Sequence, residues 1–526
     1  KDCVAHIDGD FAIVIWNART QAAFCARDHA GNKPFFYRWD GHRLMVASDQ
    51  SAILSMPGVS QAPNLGLMVE TMSGNWPTRD ETLWREVKRL PPARHMVCDR
   101  NGPQITEYWM PPLEVMLNYK RDEDYVEHYR ALFEESVRRH SRSHLAIAYE
   151  VSGGLDSSAV FCMAERLRKA GRLPAPAIKG YTWDFNDNSQ ADESEYVRAV
   201  SAHVGLVIRE IPPFRPDLEW MNDRLRQERD ITNYPNGMMA ESLRKAMAAD
   251  GCRVVINGEG GDEWAGGHRL YYPEDLAAGN WRGVQTSFRA DAADFGLFQA
   301  TGIFARHGLF HLLPKSLQSA LRWTFLPRGP NNHDSVFWLS PQMQRLLAER
   351  RIAPYRQQNM GVPNAARRAL LTLLQNGYAD HARELIDRSA ARSGMEARTP
   401  FYSRPMIEFA FKSPARVRLR GNTRKYVHVK AMQDILPQLV LERKTKADFS
   451  VAFKWQLDNM KEYFVERVPI ERRNILSQPG MDRLFDEYMR LPIEINSHAC
   501  DLWMVHVCHQ LLTVADEQNA LQSTLA

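Results

Sequence analysis

An apolar strand-like segment, a Gly-Gly turn and an amphipathic helical pattern follow one another near residue 150, and this succession constrains the fold more than any other feature. The turn reads Val151-Ser152-Gly153-Gly154-Leu155-Asp156-Ser157-Ser158. Glycines let a backbone approach an anion closely, and the free N–H groups at the start of a helix face negative charge. The serines add hydroxyl donors, and Asp156 offers the hard oxygen that Mg2+ on a polyphosphate prefers. The run predicts a phosphate-binding loop, although a Gly-Gly pair can also simply join a strand to a helix.

A second run of glycines and acids follows a later apolar segment, 254–256. It reads Asn257-Gly258-Glu259-Gly260-Gly261-Asp262-Glu263. Glycines after a strand are costly unless the backbone bends tightly near a ligand, although an acidic surface turn is the alternative. Strand-like and helical patterns alternate between the two runs, which predicts a doubly wound parallel sheet with ligands at the carboxyl ends of its strands.

Composition excludes several classes of protein. The 526 residues suggest two or three domains, and a net charge of +4 does not indicate a nucleic-acid partner. No apolar stretch approaches the length of a membrane span, and no secretory signal opens the chain. The seven cysteines are scattered without a Cys-x-x-Cys pair, so free thiols in a reducing cytoplasm are expected.

Residues 1–112 are predicted to form an antiparallel β-rich unit, since short apolar segments alternate there with polar turns. Three runs resemble the second half of the class II glutamine amidotransferase domain, an Ntn-type fold: Gly9-Asp10-Phe11-Ala12, the run 26–37 and Val46-Ala47-Ser48. In the asparagine synthetase family this domain precedes a synthetase domain with a Ser-Gly-Gly-x-Asp-Ser loop, and the same order is present here. The resemblance implies an α/β protein: a partial glutaminase-like domain, 1–112, then an ATP-pyrophosphatase (adenine nucleotide α-hydrolase-like) domain, 113–526, with a helical C-terminal part.

The resemblance also implies a nucleotide and a metal ion. Such proteins cleave ATP between its α and β phosphates, so the loop 151–158, Asn257 and Gly258 are expected to bind ATP and pyrophosphate. Asp156 and Asp262 match the family residues that hold Mg2+. Two carboxylates and a triphosphate can complete an octahedral shell together with water.

Three further residues are expected near the reacting groups. Glu259 matches a residue beside the reacting carbonyl, where β-lactam synthetases place a tyrosine. Glu396 lies in a run that resembles Val-Glu-Ala-Arg-x-Pro-Phe-Leu and is expected to position or deprotonate the nucleophile, although it could equally form a surface ion pair. Lys446 lies in a run that resembles Arg-x-Lys-x-x-Phe-Ser, with Lys444 at the arginine position, and is expected on the phosphates.

Two departures from the family pattern bear on the substrate. Glutamine-using members have an N-terminal cysteine nucleophile, and Cys3 is neither first nor in the expected surroundings. Either the front half lies outside this sequence, or the protein does not hydrolyse glutamine. The interval from Gly267 to Glu396 is longer than the family pattern implies, which predicts a helical insertion at about 268–370. The insertion is either a wall for a large substrate such as a peptide or a stabilising addition.

Three hypotheses remain open. The first, which we favour, is an ATP-dependent ligase that adenylates a carboxylate and forms a macrolactam in a precursor peptide, like lasso-peptide cyclases, with a leader-binding or protease partner. The second is a glutamine-hydrolysing asparagine synthetase whose glutaminase part lies outside this sequence. The third is a nucleotide-binding partner protein without turnover. None of these requires a membrane or a nucleic acid.

Overall fold

A parallel sheet lies at the centre of the larger region, as the alternation of strands and helices predicts. The computed structural model describes residues 2–74, 76–114, 116–185, 190–232, 234–313, 317, 336–359, 362, 364–457, 475–490, 492 and 498–525. Within them the sheet has five strands, in the order β10-β9-β8-β11-β12. They are β8 (Ile147–Glu150), β9 (Ile178–Trp183), β10 (Ile208–Ile211), β11 (Val254–Ile256) and β12 (Glu396–Arg398).

The strand order places both predicted loops at the same point of the sheet. All four pairings are parallel, and the order reverses between the neighbouring strands β8 and β11. Ligands of open α/β sheets bind outside the carboxyl ends of the strands at such a switch point. Because the run 151–158 follows β8 and the run 257–263 follows β11, the two runs meet there.

Side chains alternate between the two faces of the sheet, and helices cover both. Tyr149 and Ile256 pack with Phe133 and Phe161, which lie on helices that cover one face. Ala148, Val255 and Ala397 pack with Leu243 and Ala390, which lie on helices that cover the other. The helices up to this point are α1 (Gln50–Leu54), α2 (Leu65–Met72), α3 (Asp122–His140), α4 (Leu155–Lys169), α5 (Ser194–Val204), α6 (Leu218–Glu228), α7 (Pro235–Met238) and α8 (Ala240–Ala249).

The remaining described chain is mostly helical, as predicted. Part of the predicted insertion, 318–335, lies outside the described residues. The helices are α9 (Gly261–Trp264), α10 (Tyr271–Ala277), α11 (Trp281–Phe295), α12 (Leu297–His307), α13 (Pro341–Asn359), α14 (Ala365–Leu374), α15 (Gly377–Arg392), α16 (Arg404–Lys412), α17 (Tyr426–Ala431), α18 (Gln438–Glu442), α19 (Gln478–Arg490) and α20 (His498–Leu525). A short hairpin, β13 (Leu419–Arg420) and β14 (Thr423–Arg424), precedes α17.

The N-terminal region is β-rich and antiparallel, which confirms the prediction. One sheet has the order β1-β2-β6-β7 and a second the order β4-β3-β5. Their strands are β1 (Ala12–Asn17), β2 (Ala22–Arg27), β3 (Phe36–Trp39), β4 (Leu44–Ala47), β5 (Lys88–Arg89), β6 (Arg94–Asp99) and β7 (Gly102–Glu107).

A hydrophobic core joins this region to the C-terminal helices. Met68 of α2 and Trp84 share one buried cluster with Trp503 and Leu511 of α20. Both tryptophans are fully buried. Because these side chains share one core, the chain segments on either side of the predicted boundary at 112 do not form two independent cores.

Helix α15 carries buried charges that connect the two regions. Glu384 lies within 3.1 Å of Arg27 and 2.7 Å of Arg89, and all three side chains are buried. Asp380, which is also buried, pairs at 2.6 Å with the partly exposed Arg79 of the N-terminal region. Such charges are stable in a protein interior only when each has its partner.

No helix among the described residues is long and apolar enough to span a membrane. The seven cysteines are free thiols in the structure.

Replacing Glu384 with Gln should lower the free energy of unfolding by about 3–5 kcal/mol, because two guanidinium groups would lose a buried counter-charge. Urea unfolding measures this loss. Glu135→Gln removes a partly exposed partner of Arg138 and Arg139 and should change stability by about 1 kcal/mol or less. Equal losses in the two variants would contradict the role of the buried network.

The contribution of Glu384 should also depend on pH. Burial alone would raise the pKa of Glu384, but Arg89 and Arg27 outweigh it and hold the pKa at about 2, against 4.5 for the free group. A folded-state pKa below the unfolded value stabilises the protein above pH 4.5, and this stabilisation is lost as the pH falls from 4.5 towards 2. The difference in unfolding free energy between the wild type and Glu384→Gln should shrink over that interval. A constant difference would be inconsistent with the ion pairs.

Candidate active site

The two predicted loops touch each other through glycines. A Cβ at Gly258 would lie 2.6 Å from the backbone nitrogen of Ser157, and one at Gly261 would lie 2.2 Å from Cγ of Asp156. Any larger residue would therefore push the loops apart. This close approach explains why glycines occupy both positions.

The first loop has the geometry of an anion site. Gly153 has φ +69°, in the left-handed region, and a Cβ there would meet Tyr196 at 2.6 Å. Helix α4 follows with Gly154 as its N-cap, and no side chain caps the first turn. The hydroxyl groups of Ser152 and Ser157 hydrogen-bond each other at 2.8 Å. Uncapped N–H groups and two hydroxyl donors at a helix N-terminus suit phosphate oxygens.

Ser158 does not belong to this donor set. Its side chain is fully buried, and it does not line the cavity that Ser152 and Ser157 line. Its hydroxyl therefore does not face the cavity, because the first turn of α4 directs the side chain at 158 into the core. Gly153 does not line the cavity either, and its left-handed backbone conformation shapes the loop.

A lysine joins the two aspartates. The ammonium of Lys425 hydrogen-bonds Asp156 Oδ2 and lies 2.8 Å from Asp262 Oδ1. Burial alone would lower the pKa of Lys425, but both aspartates outweigh it and raise the pKa. Lys425 itself has φ +55°, an uncommon conformation for a residue with a side chain, of the kind that clusters at functional sites.

The two aspartates fit the Mg2+ that the family resemblance implies. Their carboxylates converge on one cation, and Asp156 Oδ1 is buried without a hydrogen-bond partner among the described residues. The described residues contain no group of three or more His, Cys, Asp or Glu side chains that could hold a metal ion. Two carboxylates suffice for Mg2+ when phosphate oxygens and water supply the other ligands.

Glu259 and Asn257 lie in the second loop. The backbone N–H of Glu259 donates to Asn257 Oδ1 at 3.2 Å, which fixes the turn. The Glu259 side chain faces the open cavity. Desolvation by the surrounding protein, reinforced by Glu263 and Glu150, raises the pKa of Glu259 to about 7. Glu259 can therefore exchange a proton near neutral pH.

Lys446 reaches the same site from the loop after α18. Its ammonium lies 2.7 Å from Asp262 Oδ2, and its side chain is 83% exposed. The loop is fixed at its start, where Arg443 pairs with Glu193 at 2.6 Å. Lys446 is thus an exposed cation at the cavity on an anchored loop, where it can meet a negatively charged ligand. Burial alone would raise the pKa of Asp262, but Lys425 and Lys446 hold it at about 2.

Glu396 is not brought to this site. It is the first residue of β12, opposite Val254, which is the first residue of β11. The cavity lies beyond the other ends of these strands, and Glu396 does not line it. Its carboxylate pairs with Arg398 at 3.0 Å and with Lys33 at 3.7 Å. In the structure Glu396 forms an ion pair between the two regions, and its catalytic role stays a prediction.

The cavity that unites these groups has a volume of about 1000 Å3. This is the upper size of ordinary small-molecule sites and is large enough for a nucleotide with a second substrate. The walls also include residues that no sequence motif indicated: Thr182, Trp183, Glu193, Arg424, Lys425 and Arg443. Lys425 follows Asp156 by 269 residues. Its only sequence signal is a basic pair after a Gly-Asn turn, which resembles any surface turn.

Gly261→Ala should lower catalysis by about 100-fold while leaving the fold intact, because the new methyl group must displace the Asp156 carboxylate, and a misplacement of about 1 Å can have that effect. Gly302→Ala is the matched control, since a Cβ there meets nothing within 4 Å. ATP–pyrophosphate exchange measures activity, and thermal unfolding measures the fold. Unchanged exchange in Gly261→Ala would show that the contact between the loops is dispensable.

Comparison with protein families agrees with this geometry. Residues 128–513 match the asparagine synthase family, and residues 1–109 match a glutamine amidotransferase domain. The resemblance proposed from the sequence runs is thereby confirmed at the level of the family.

Individual relatives are distant. Asparagine synthetase [glutamine-hydrolyzing] 3 of Bacillus subtilis (strain 168) is 24% identical over 84% of this chain and 67% of its own length. Amidase chry2 of Gibberella zeae is 28% identical over 52% of this chain and 42% of its own length. Putative asparagine synthetase [glutamine-hydrolyzing] 2 of Methanocaldococcus jannaschii is 24% identical, and the chain spans about half of its length, 52%. Since the synthase match covers well over half of the chain, this protein belongs to the asparagine synthase family of ATP-dependent carbon–nitrogen ligases.

Proposed function

We propose that this protein adenylates a carboxylate with ATP, releases pyrophosphate and transfers the acyl group to an amine. The observation that carries the proposal is the convergence of Asp156, Asp262 and Lys425 beside the uncapped start of α4. Anion donors and cation ligands face one cavity there. That combination suits a metal-bound polyphosphate better than a neutral ligand.

In the first step, the transfer of AMP to the carboxylate, different residues bind the phosphates and stabilise the charge. The N–H groups of α4 and the hydroxyl groups of Ser152 and Ser157 bind the phosphates that leave as pyrophosphate. Lys446 stabilises the charge that accumulates there as the substrate carboxylate attacks the α-phosphorus and the bond to the bridging oxygen breaks. Asp156 and Asp262 would hold Mg2+, which supplies further charge neutralisation when it is bound.

The second step needs a neutral amine. Attack of the amine on the acyl carbon expels AMP and leaves an amide after loss of one proton. Glu259 faces the cavity and has a pKa of about 7, so its ionised form can accept that proton near neutral pH.

As the specific reaction we propose macrolactam formation in a precursor peptide. The active-site cavity continues into an open groove of about 580 Å3, and Asn422 and Arg424 line both. Phe295 and His307, from α11 and α12 of the predicted insertion, also line the groove. The groove and the active-site cavity together give room for a chain longer than a single amino acid. Synthesis of asparagine from free aspartate is the alternative, which the names of two of the relatives support.

Two variants test the proposed chemistry by ATP–pyrophosphate exchange. Asp156→Asn should lower exchange by about 100-fold or more, since one ligand of the cation is lost. Lys446→Ala should lower it by about 100- to 1000-fold, the range for a donor that stabilises developing charge. Lys430→Ala is the control and should retain wild-type exchange, since Lys430 is only partly buried and does not line the cavity. Full exchange in Asp156→Asn would reject the assignment.

A further inference from the structure

A second, smaller cavity adjoins the active site. Its volume is about 210 Å3, and residues shared with the active-site cavity form one side: Asp262, Glu263, Arg424 and Lys425. Apolar side chains form most of the opposite side: Leu270, Ala366, Ala369, Leu370 and Leu373. The volume is below the range of about 300–1000 Å3 that holds whole drug-sized ligands. The cavity therefore fits a group the size of one side chain.

One charged residue in the wall of this cavity has no counter-charge. Arg418 is 5% exposed, and its Nε is buried without a partner. Its side chain makes no hydrogen bond or ion pair within the described part of the chain. Burial lowers the pKa of Arg418 to about 10, and Glu274 opposes this shift only in part. An isolated buried cation is costly unless an anion joins it.

The neighbouring acids are already engaged. One carboxylate oxygen of Glu274 accepts the backbone N–H of Ala415 at 2.6 Å, and the other accepts the side-chain amide of Asn364 at 2.9 Å. Asp275 pairs with Arg416 at 3.3 Å. Among the described residues no carboxylate, including those of Asp262 and Glu263 in the same wall, lies within ion-pair distance of Arg418, so an anion that meets Arg418 has to enter through the cavity.

We propose that Arg418 binds a second carboxylate of the acyl substrate, next to the carboxylate that is adenylated. The planar guanidinium matches a carboxylate with two parallel hydrogen bonds. The apolar walls would hold the carbon atoms between the two acidic groups. This inference rests on the proposed function and narrows the acyl substrate to one with two carboxylates.

The second carboxylate has two possible sources. It is either the α-carboxylate of a free dicarboxylic amino acid or a second acidic side chain in a peptide. ATP–pyrophosphate exchange is measured with two pairs of substrates, of which the first is L-aspartate and its α-methyl ester. The other pair is two peptides with blocked termini, Gly-Gly-Asp-Gly-Asp and Gly-Gly-Asp-Gly-Asn. In each pair only the first member offers Arg418 a second carboxylate.

The variants are Arg418→Met, Arg418→Lys and the control Arg367→Met. Arg367 is equally buried, donates to the carbonyl of Leu113 and does not line the cavity. For the wild type, the KM of the diacid in one pair should be at least about 10-fold lower than that of its neutral partner. Arg418→Met should abolish this difference and leave the KM for ATP unchanged. Arg418→Lys should restore part of it, and Arg367→Met should keep all of it.

The outcomes separate the inference from the proposed function. The pair whose two members differ in KM identifies the source of the second carboxylate. The inference is overturned if both members of each pair support exchange with equal KM values. It is also overturned if a KM difference persists in Arg418→Met. Either result leaves the proposed adenylation chemistry unaffected.

If none of the four carboxylate substrates supports exchange, the proposed function is rejected for these substrates. A binding measurement then tests the inference separately. Glutarate, a simple diacid, should then still raise the melting temperature of the wild type and of Arg367→Met, but not of Arg418→Met. Equal shifts in all three proteins, or no shift in the wild type, overturn the inference as well.

Discussion

The contact between two glycine-containing loops is the constraint on which the rest of the site depends. Gly258 and Gly261 let the loop after β11 lie directly against Ser157 and Asp156 of the loop after β8. Only at that separation can one cation, the ammonium of Lys425, reach both Asp156 and Asp262. The parallel sheet brings the two loops together, because the neighbouring strands at a switch point end side by side.

Buried charges then connect this contact to the N-terminal region. Arg79 pairs with Asp380 of α15, and Asp380 pairs with Arg383 at 2.5 Å. The guanidinium of Arg383 lies 4.9 Å from the ring centre of Tyr402. A Cβ at Gly260 would meet that ring at 2.9 Å. The N-terminal region is therefore linked by continuous contacts to the loop that carries Glu259 and Asp262.

Local pattern was sufficient to predict the fold class and the two loops. The strand–glycine–helix succession at 151–158 and the glycine-bracketed acids at 257–263 both depend on short-range backbone requirements, which a sequence displays directly. Lys425 and Arg418 could not be predicted, because they flank a hairpin that only tertiary packing brings to the active-site cavity and to the smaller cavity beside it. The position of Glu396 away from the cavity could not be predicted for a related reason, because a motif does not show at which end of its strand a side chain lies. The core shared by Trp84 and Trp503 is likewise a contact between distant segments.

Metal binding tests the central claim, that Asp156 and Asp262 hold a single cation together with a triphosphate. Mn2+ can replace Mg2+ as a paramagnetic probe, and α,β-methylene-ATP provides a triphosphate that cannot be cleaved between its α and β phosphates. Electron paramagnetic resonance should show one nucleotide-dependent Mn2+ site in the wild type, and Asp156→Asn and Asp262→Asn should each abolish it. A site that persists unchanged in either variant would contradict the account.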